Sequence, residues 1–446
     1  MKPVLIFVAF ALVAAIGHAD DNDDLFGESL VSEPQETTRG LEETLLVSEA
    51  VEIGGRFRFD VEAAGVWDDA FEGEVRYRDA DEFSLSTELS SQLFFDARPD
   101  RDFRVYGQVT VSYPFETASA DGDDPEAQDR NLQDVIRVDE LFSDFTWQDA
   151  VYFRGGLQTL GWGVGTFFTP ADLLNPRTTM RVDPDLQRKG RVAVRASVPA
   201  GINNADLYLL LPDLVDPEPL DPGIAARGEV VLGRGEVSLG AFYQREAAPA
   251  AMVAVTHSLG DLDLLGEAVL RYGSERVLVE ESEGFPGLSV RETDDELFVS
   301  AMAGLRYTYS AAESTWGFRA TGEYFFNGEG YGDSSVISDN RDAIGVLLGD
   351  GTISREDLAT TGRHYTVLSG ELVDLFESDL SVGLLWIRNH TDRSSILVPS
   401  VSGTLFNRIT LMLSSPINLG DDGDEFAPEG NRLTMSVSAS VGGGSF

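Results

Sequence analysis

From Gly54 onward the chain alternates with a period of two. Arg56, Arg58, Asp60 and Glu62 interleave with Phe57, Phe59, Val61 and Ala63, which sets four charges on one face of a strand and an apolar row on the other. The pattern returns in Phe83, Leu85, Leu89 and Leu93 against Ser84, Ser86, Glu88 and Gln92, and in Phe103, Val105, Val109 and Val111 against Arg104, Gln108, Thr110 and Ser112. Later runs pair Val192, Val194 and Ala196 with Arg191 and Arg195, Trp316, Phe318, Ala320 and Tyr324 with Arg319, Thr321 and Glu323, and Ile409, Leu411 and Leu413 with Arg408 and Thr410. Each run is about ten residues, the length of a tilted strand that crosses a bilayer. In a soluble sandwich the charged face would be the outside; in a membrane barrel it is the interior.

The spacing of the runs separates these two. Tight turns fall near Arg98-Pro99-Asp100, Gln148-Asp149, Pro199-Ala200-Gly201, Gly233-Arg234-Gly235, Leu259-Gly260, Ala311-Ala312-Glu313, Glu377-Ser378 and Phe406-Asn407, and longer connections lie between them, at 68–81, 114–134, 159–189, 213–223, 273–294, 327–362 and 417–430. Short turns on one side and long loops on the other predict an all-β fold, a transmembrane antiparallel β-barrel with periplasmic turns and extracellular loops. The runs number about eighteen strands, with fourteen to eighteen as the range, because the stretches 203–212 and 224–232 alternate weakly. A barrel that wide encloses an aqueous channel unless something fills it.

The rest of the chain fits an exported barrel. Residues 1–19 read as a signal peptide, with Lys2 for the positive start, Val4 to Ile16 apolar, and Gly17-His18-Ala19 at the cleavage site. Residues 20–50 are acidic and do not alternate, and form a periplasmic leader or, as the alternative, a lumen plug; the barrel occupies 51–446. After the signal no stretch reaches the roughly 18 apolar residues of a membrane helix. With no cysteine, disulfides, thiolate metal sites and cysteine nucleophiles are excluded together. The formal charge of −43 excludes nucleic acid as a partner. Acidic runs such as Asp121-Gly122-Asp123-Asp124 and Asp421-Asp422-Gly423-Asp424-Glu425 read as solvated loops, with weak divalent-cation binding as the alternative; none has EF-hand spacing, and no metal site and no cofactor is expected.

One segment is unlike the others. Arg154 to Arg177 follows a strand, is dense in glycine, and carries Gly156, Gln158, Trp162, Gly163, Asn175 and Pro176. It lacks the lysine and hydroxyl residue of a phosphate-binding loop. With Asp172 and Arg177 in the flanks, the Gly-x-Gln, Trp-Gly and Asn-Pro landmarks resemble Gram-negative outer-membrane β-barrel porins of the alginate-export-related and mostly uncharacterised kind. Leu157 departs from that pattern, which has a basic residue there. The terminal Phe446 resembles the signal such barrels present to their assembly machinery, although it is out of phase with Val437, Ala439 and Val441, which requires a bulge in Gly442-Gly443-Gly444. The resemblance implies an outer-membrane location in a Gram-negative-type bacterium, contact with the bilayer and its lipopolysaccharide-type outer leaflet, dependence on the barrel assembly machinery, and small polar solutes as cargo, with homo-oligomers left open.

Thr169-Pro170-Ala171-Asp172 reads as a helix start. A short helix in a long loop resembles the inward constriction loop of porins, which would place Arg154, Gln158, Asp172, Arg177, Arg181, Asp183, Asp185 and Arg195 at the narrowing. The alternative is an outward loop held to the rim by Trp162, Phe167 and Phe168. Arg56, Arg58, Asp60, Glu62, Arg104, Arg191, Arg319 and Glu323 fall on the lumen face; the arginines would favour anions, or instead pair with Asp60, Glu62 or Glu88 across strands.

The function expected is passive diffusion of small polar or charged solutes, with 159–189 as the constriction. A structural or adhesin-type barrel with a blocked lumen is the alternative, its exterior cap being the loop 327–362 with a capping box at Ser354-Arg355-Glu356-Asp357. An outer-membrane hydrolase is more remote: His257, His364 and His390 remain after the signal, and His390 near Asp392 and Asp421-Asp422 loosely resembles the pairs of outer-membrane proteases. No catalytic residue is assigned and no enzyme is expected.

Overall fold

The computed structural model describes residues 51–68, 71, 80–116, 136–175, 180, 190–212, 222–245, 247–274, 276–310, 316–406 and 408–445. The signal segment, the leader, Arg177, Arg181, Asp183, Asp185, Pro176 and Phe446 lie outside the described residues.

Strands follow one another as β1 (Val51–Asp68), β2 (Glu82–Asp100), β3 (Phe103–Glu116), β4 (Ile136–Trp147), β5 (Val151–Gln158), β6 (Arg191–Ala200) and β7 (Asn203–Leu210). Next come β8 (Gly223–Leu232), β9 (Gly235–Gln244), β10 (Ala250–Leu259) and β11 (Leu262–Tyr272), then a small hairpin of β12 (Val279–Glu281) and β13 (Leu288–Val290). The remainder are β14 (Leu297–Ser310), β15 (Gly317–Phe326), β16 (His364–Leu375), β17 (Leu380–Asn389), β18 (Ser395–Leu405), β19 (Ile409–Ser414), β20 (Ile417–Leu419) and β21 (Arg432–Ser445). Apart from the β12–β13 hairpin every strand joins one antiparallel sheet, and β1 pairs with β21, so the sheet closes into a barrel.

β19 and β20 both lie between β18 and β21 and are halves of one strand, which makes the barrel eighteen-stranded. The break falls at Ser415-Pro416, where proline has no N–H for the ladder. At the closing seam the register slips: Arg58 faces Gly442 while Arg56 faces Ser445. The extra residues form a bulge, and Gly442 supplies the φ of +114° that it needs. A Cβ there would lie 2.0 Å from the Phe57 carbonyl oxygen.

Register sorts the side chains into two faces. Phe57, Phe59, Leu85, Val109 and Ile409 share the outward rows with Leu93, Val194, Leu239, Val255, Leu305 and Val437. Many of these are exposed large hydrophobics, as the solvent contact of a bilayer requires. The inward rows are of two kinds. Those of β6 to β11 and β14 to β17 hold buried Ala193, Tyr208, Phe242, Met252, Val269, Met302, Phe325, Tyr365 and Ile387. Those of β1 to β4 and β18 to β21 hold Arg56, Arg58, Asp60, Glu62, Gln92, Thr110, Ser402, Ser414, Ser438 and Ser440.

The long-loop end carries a folded cap over part of the rim. Helices α1 (Ser335–Ser338) and α2 (Arg341–Gly349) pack Ala343, Ile344 and Leu347 against Val279 and Leu288 of the small hairpin and against Ile353. The capping box at Ser354 is present: Ser354 Oγ accepts from the Asp357 amide, and the Asp357 carboxylate accepts from the Ser354 amide at 2.9 Å. Arg276 donates to the carbonyls of Asp357, Ala359 and Thr360, and Asp357 accepts from the Val277 amide, which joins the hairpin to this turn. Glu425 joins a further loop to the cap by accepting from Thr361, Gly362, Tyr365 and Asn389.

Candidate channel constriction

The loop after β5 turns into the barrel. Its entry is fixed at Gln158, whose amide donates to the Ala193 carbonyl at 3.0 Å, and at Thr159, whose N–H donates to Glu140 of β4 at 2.9 Å. Two carboxylates of the far wall then hold the loop backbone. Glu267 of β11 accepts from the amides of Val164 at 2.5 Å, Gly165 at 2.8 Å and Ala171 at 2.8 Å. Glu323 of β15 accepts from Thr166 at 2.6 Å and from Phe167 and Phe168 at 2.9 Å each. Six N–H groups that no ladder satisfies thus receive carboxyl oxygens as acceptors, which is the condition for burying irregular backbone.

Apolar packing completes the attachment. Trp162 meets Tyr208 edge-on at 5.6 Å, beside Leu173 and Leu174, which are buried with Phe242 and Met252. Phe168 is 0 % exposed and stacks on Phe325 at 5.0 Å, with Tyr365 at 6.1 Å. The glycines permit this closeness. A Cβ on Gly163 would lie 2.6 Å from the Thr169 Cβ and one on Gly165 would lie 1.9 Å from the Phe168 carbonyl oxygen. Arg191 donates to the Leu174 carbonyl and to Gln244, and Arg306 to Thr166 Oγ1.

The segment 169–174 forms successive turns and not the helix expected from Thr169-Pro170. Its amides bond only two or three residues back, Asp172 to Thr169, Leu173 to Ala171 and Asn175 to Asp172, while Ala171 N is held by Glu267 and the Asp172 carboxylate turns back to the Trp162 amide and the Asn175 side chain. Asn175 also donates to the Leu160 carbonyl at 2.7 Å, so the Trp-Gly and Asn-Pro landmarks meet at one knot. Gln158 and Asp172, expected to line the narrowing, are 1 % and 2 % exposed and serve the loop's own structure instead. Likewise Trp162, Phe167 and Phe168 pack inside the barrel and not on an outer rim.

The charged side chains pair in rows along the inward face. Arg154 grips Asp144 with two bonds of 2.7 and 3.1 Å and lies 4.0 Å over the Phe142 ring, and Arg104 bonds Asp96 at 2.9 Å with Asp144 at 3.6 Å. Arg195 bonds Asp206 at 3.0 Å, and Arg227 bonds Glu229 at 2.8 Å with Asp206 at 3.7 Å. Arg58 pairs with Asp60 at 2.9 Å, and Arg319 reaches Glu371 at 3.7 Å. Except for Asp60 these partners differ from the Glu62 and Glu88 considered from sequence. Arg58 and Arg137 nonetheless keep 64 % and 61 % of their side chains exposed.

Glu267 was not singled out by the sequence reading. The available signal was a lone carboxylate in the inward row Leu265, Glu267, Val269, where an apolar row demands a partner for any charge. The hydrolase arrangement does not assemble: the His390 ring bonds Thr366 Oγ1, whereas Asp392 accepts from Ser394 and from the Glu425 amide.

No family model and no curated protein sequence matches the chain. Among solved structures it is similar to Acinetobacter baumannii OccAB1, with 10% identity, a TM-score of 0.48, and coverage of 88% of this chain and 96% of that one. Pseudomonas aeruginosa OccK11 follows at 7% identity and TM-score 0.47 over 87% and 95%, and the outer membrane channel DcaP of Acinetobacter baumannii at 12% and 0.41 over 88% and 98%. These likenesses concern the course of the chain alone.

Proposed function

We propose that the chain is an outer-membrane channel for passive diffusion of small polar or charged solutes, with the loop 159–189 as its constriction. The observation that carries this reading is the division of the barrel interior. On one side the loop and the wall of β6 to β11 and β14 to β17 are packed apolar surface; on the other, β1 to β4 and β18 to β21 present charged and hydroxyl side chains to solvent, Arg58 and Arg137 being more than half exposed. A barrel of eighteen strands is too wide to fill with its own side chains, and one loop fills only part of it. The passage then runs between the loop and the hydroxyl-rich wall, past the paired rows of Arg104, Asp144, Arg154 and Arg195. Opposed charges across such a passage orient dipolar solutes, and the sign left unpaired sets ion preference.

The reading includes export by a cleaved signal, insertion by the barrel assembly machinery and residence in a Gram-negative-type outer membrane, supported by the apolar outward rows. Arg177, Arg181, Asp183 and Asp185 belong to the same loop and are proposed to face the passage. The test is purified protein in a planar bilayer: stepwise single-channel currents support it, and silence from protein that retains heat-modifiable mobility overturns it. Silence would favour a barrel blocked by its loop and cap, the reading for which the packed outer subassembly of β12, β13, α1 and α2 speaks.

A further inference from the structure

The outward rows of the eighteen strands are mainly apolar, with few polar or basic interruptions. Among the described residues Arg388 is the one arginine at an outward register position: it faces Thr366, which faces Tyr324, whereas Arg58, Arg104, Arg154, Arg195, Arg306 and Arg319 all turn inward. Arg388 is the penultimate residue of β17 on the long-loop side, with outward Trp386 and Leu384 toward the middle of the strand. Its guanidinium makes no hydrogen bond or ion pair with a described residue, the backbone being held in the ladders to β16 and β18. Two of the chain's four histidines adjoin it. His364 opens β16 and its Nδ1 bonds the Tyr324 hydroxyl at 2.6 Å, and the exposed His390 bonds Thr366 Oγ1 at 2.8 Å through Nε2. Partial desolvation, then the nearby positive charge of Arg388 and His364, holds His390 below its ordinary pKa.

A basic side chain on the lipid side of a barrel is costly at the bilayer midplane and costs little near the interface, where the end of β17 puts Arg388 within reach of an anionic headgroup. The nearby acid Asp392 does not serve as its counter-charge, since its oxygens are engaged by Ser394 and Glu425. We infer that Arg388, His364 and His390 form an outward-facing site for a phosphate group of a phosphorylated glycolipid in the outer leaflet. The inference rests on the outer-membrane reading above. Three basic side chains within one rim patch, with the aromatic rings of Tyr324, Phe326 and Trp386 beside them, select an anionic phosphate-bearing headgroup over a net-neutral one.

The test is native mass spectrometry of the detergent-purified barrel titrated with bis-phosphorylated lipid A and with the same lipid after removal of its phosphates. Wild-type protein is expected to bind the phosphorylated lipid about tenfold more tightly. Arg388→Ala should remove that preference, Arg388→Lys should keep part of it, and Arg408→Ala, in a turn at the opposite end of the barrel, should leave it intact. Equal affinity for the two lipids, or an Arg388→Ala protein that binds as wild type does, overturns the inference. Bilayer currents from the same preparations report separately on the channel reading, so the two can fail independently.

Discussion

Replacing the carboxylate of Glu323 removes the acceptor for three consecutive loop amides, Thr166, Phe167 and Phe168. A hydrogen bond to a charged group contributes about 1.5–3 kcal/mol, and bonds to one side chain do not add fully. Glu323→Gln retains one carbonyl acceptor and turns an NH2 toward amide donors, so a loss of ~3–4 kcal/mol of loop docking is expected, a factor of several hundred in the docked-to-released ratio. Phe168 and its stacked neighbours still hold the segment, each buried ring contributing roughly 1.5–3 kcal/mol. The single variant should therefore keep a docked loop with more frequent openings. In Glu267→Gln/Glu323→Gln all six amides lose their carboxyl acceptor, and the loop should leave the wall. Single-channel recording measures this directly: added current noise for the single variant, larger mean conductance for the double. A folded double variant with wild-type conductance and noise would refute the argument that these carboxylates hold the loop.

Gly165→Ala should loosen the same contact by about 1–3 kcal/mol, because its Cβ has no space beside the Phe168 carbonyl; faster amide exchange in 164–168 checks it. Trp162→Ala removes a side chain 2 % exposed and should cost about 3–5 kcal/mol, read as a lower thermal midpoint and loss of exchange protection at Leu160 and Leu173. For Asp357, burial raises the carboxyl's pKa but the Ser354 and Val277 donors and Arg276 outweigh it and leave the group below its ordinary value of 3.8. Its contribution is then complete above that value and disappears as pH falls through the lower folded one, so protection of the Val277 amide should fall only in strong acid; loss already at pH 6 would contradict the assignment.

The barrel was legible because a strand in a closed sheet has two surfaces in different solvents, and Arg56 to Ala63 shows both. The stretches 203–212 and 224–232 were weak for a physical reason now visible. Their inward residues Tyr208, Leu210 and Ala225 are covered by the loop, so both faces are apolar and the alternation fades. The bulge at Gly442 followed from phase alone. The loop's inward course was readable from its glycines and landmarks, but its conformation was not. Local rules gave Thr169-Pro170 a helix, whereas Glu267 and Glu323, about a hundred and a hundred and fifty residues away in sequence, anchor Ala171 and Phe168 to the far wall and the chain between them and Asn175 folds into turns. Pairing of the arginines with Asp96, Asp144 and Asp206 likewise depends on strand register, which periodicity leaves open by two residues at a time.

The central claim is a lumen packed on one side and open on the other, and the absence of cysteine from the chain makes it directly measurable. Single cysteines placed at Ser438 in the hydroxyl-rich wall and at Val367 beneath Phe168 would be exposed to a charged, water-soluble thiol reagent during single-channel recording. Reagent should step the current down in Ser438→Cys and leave Val367→Cys unchanged. Equal reaction at both positions, or reaction at Val367→Cys alone, would contradict the account.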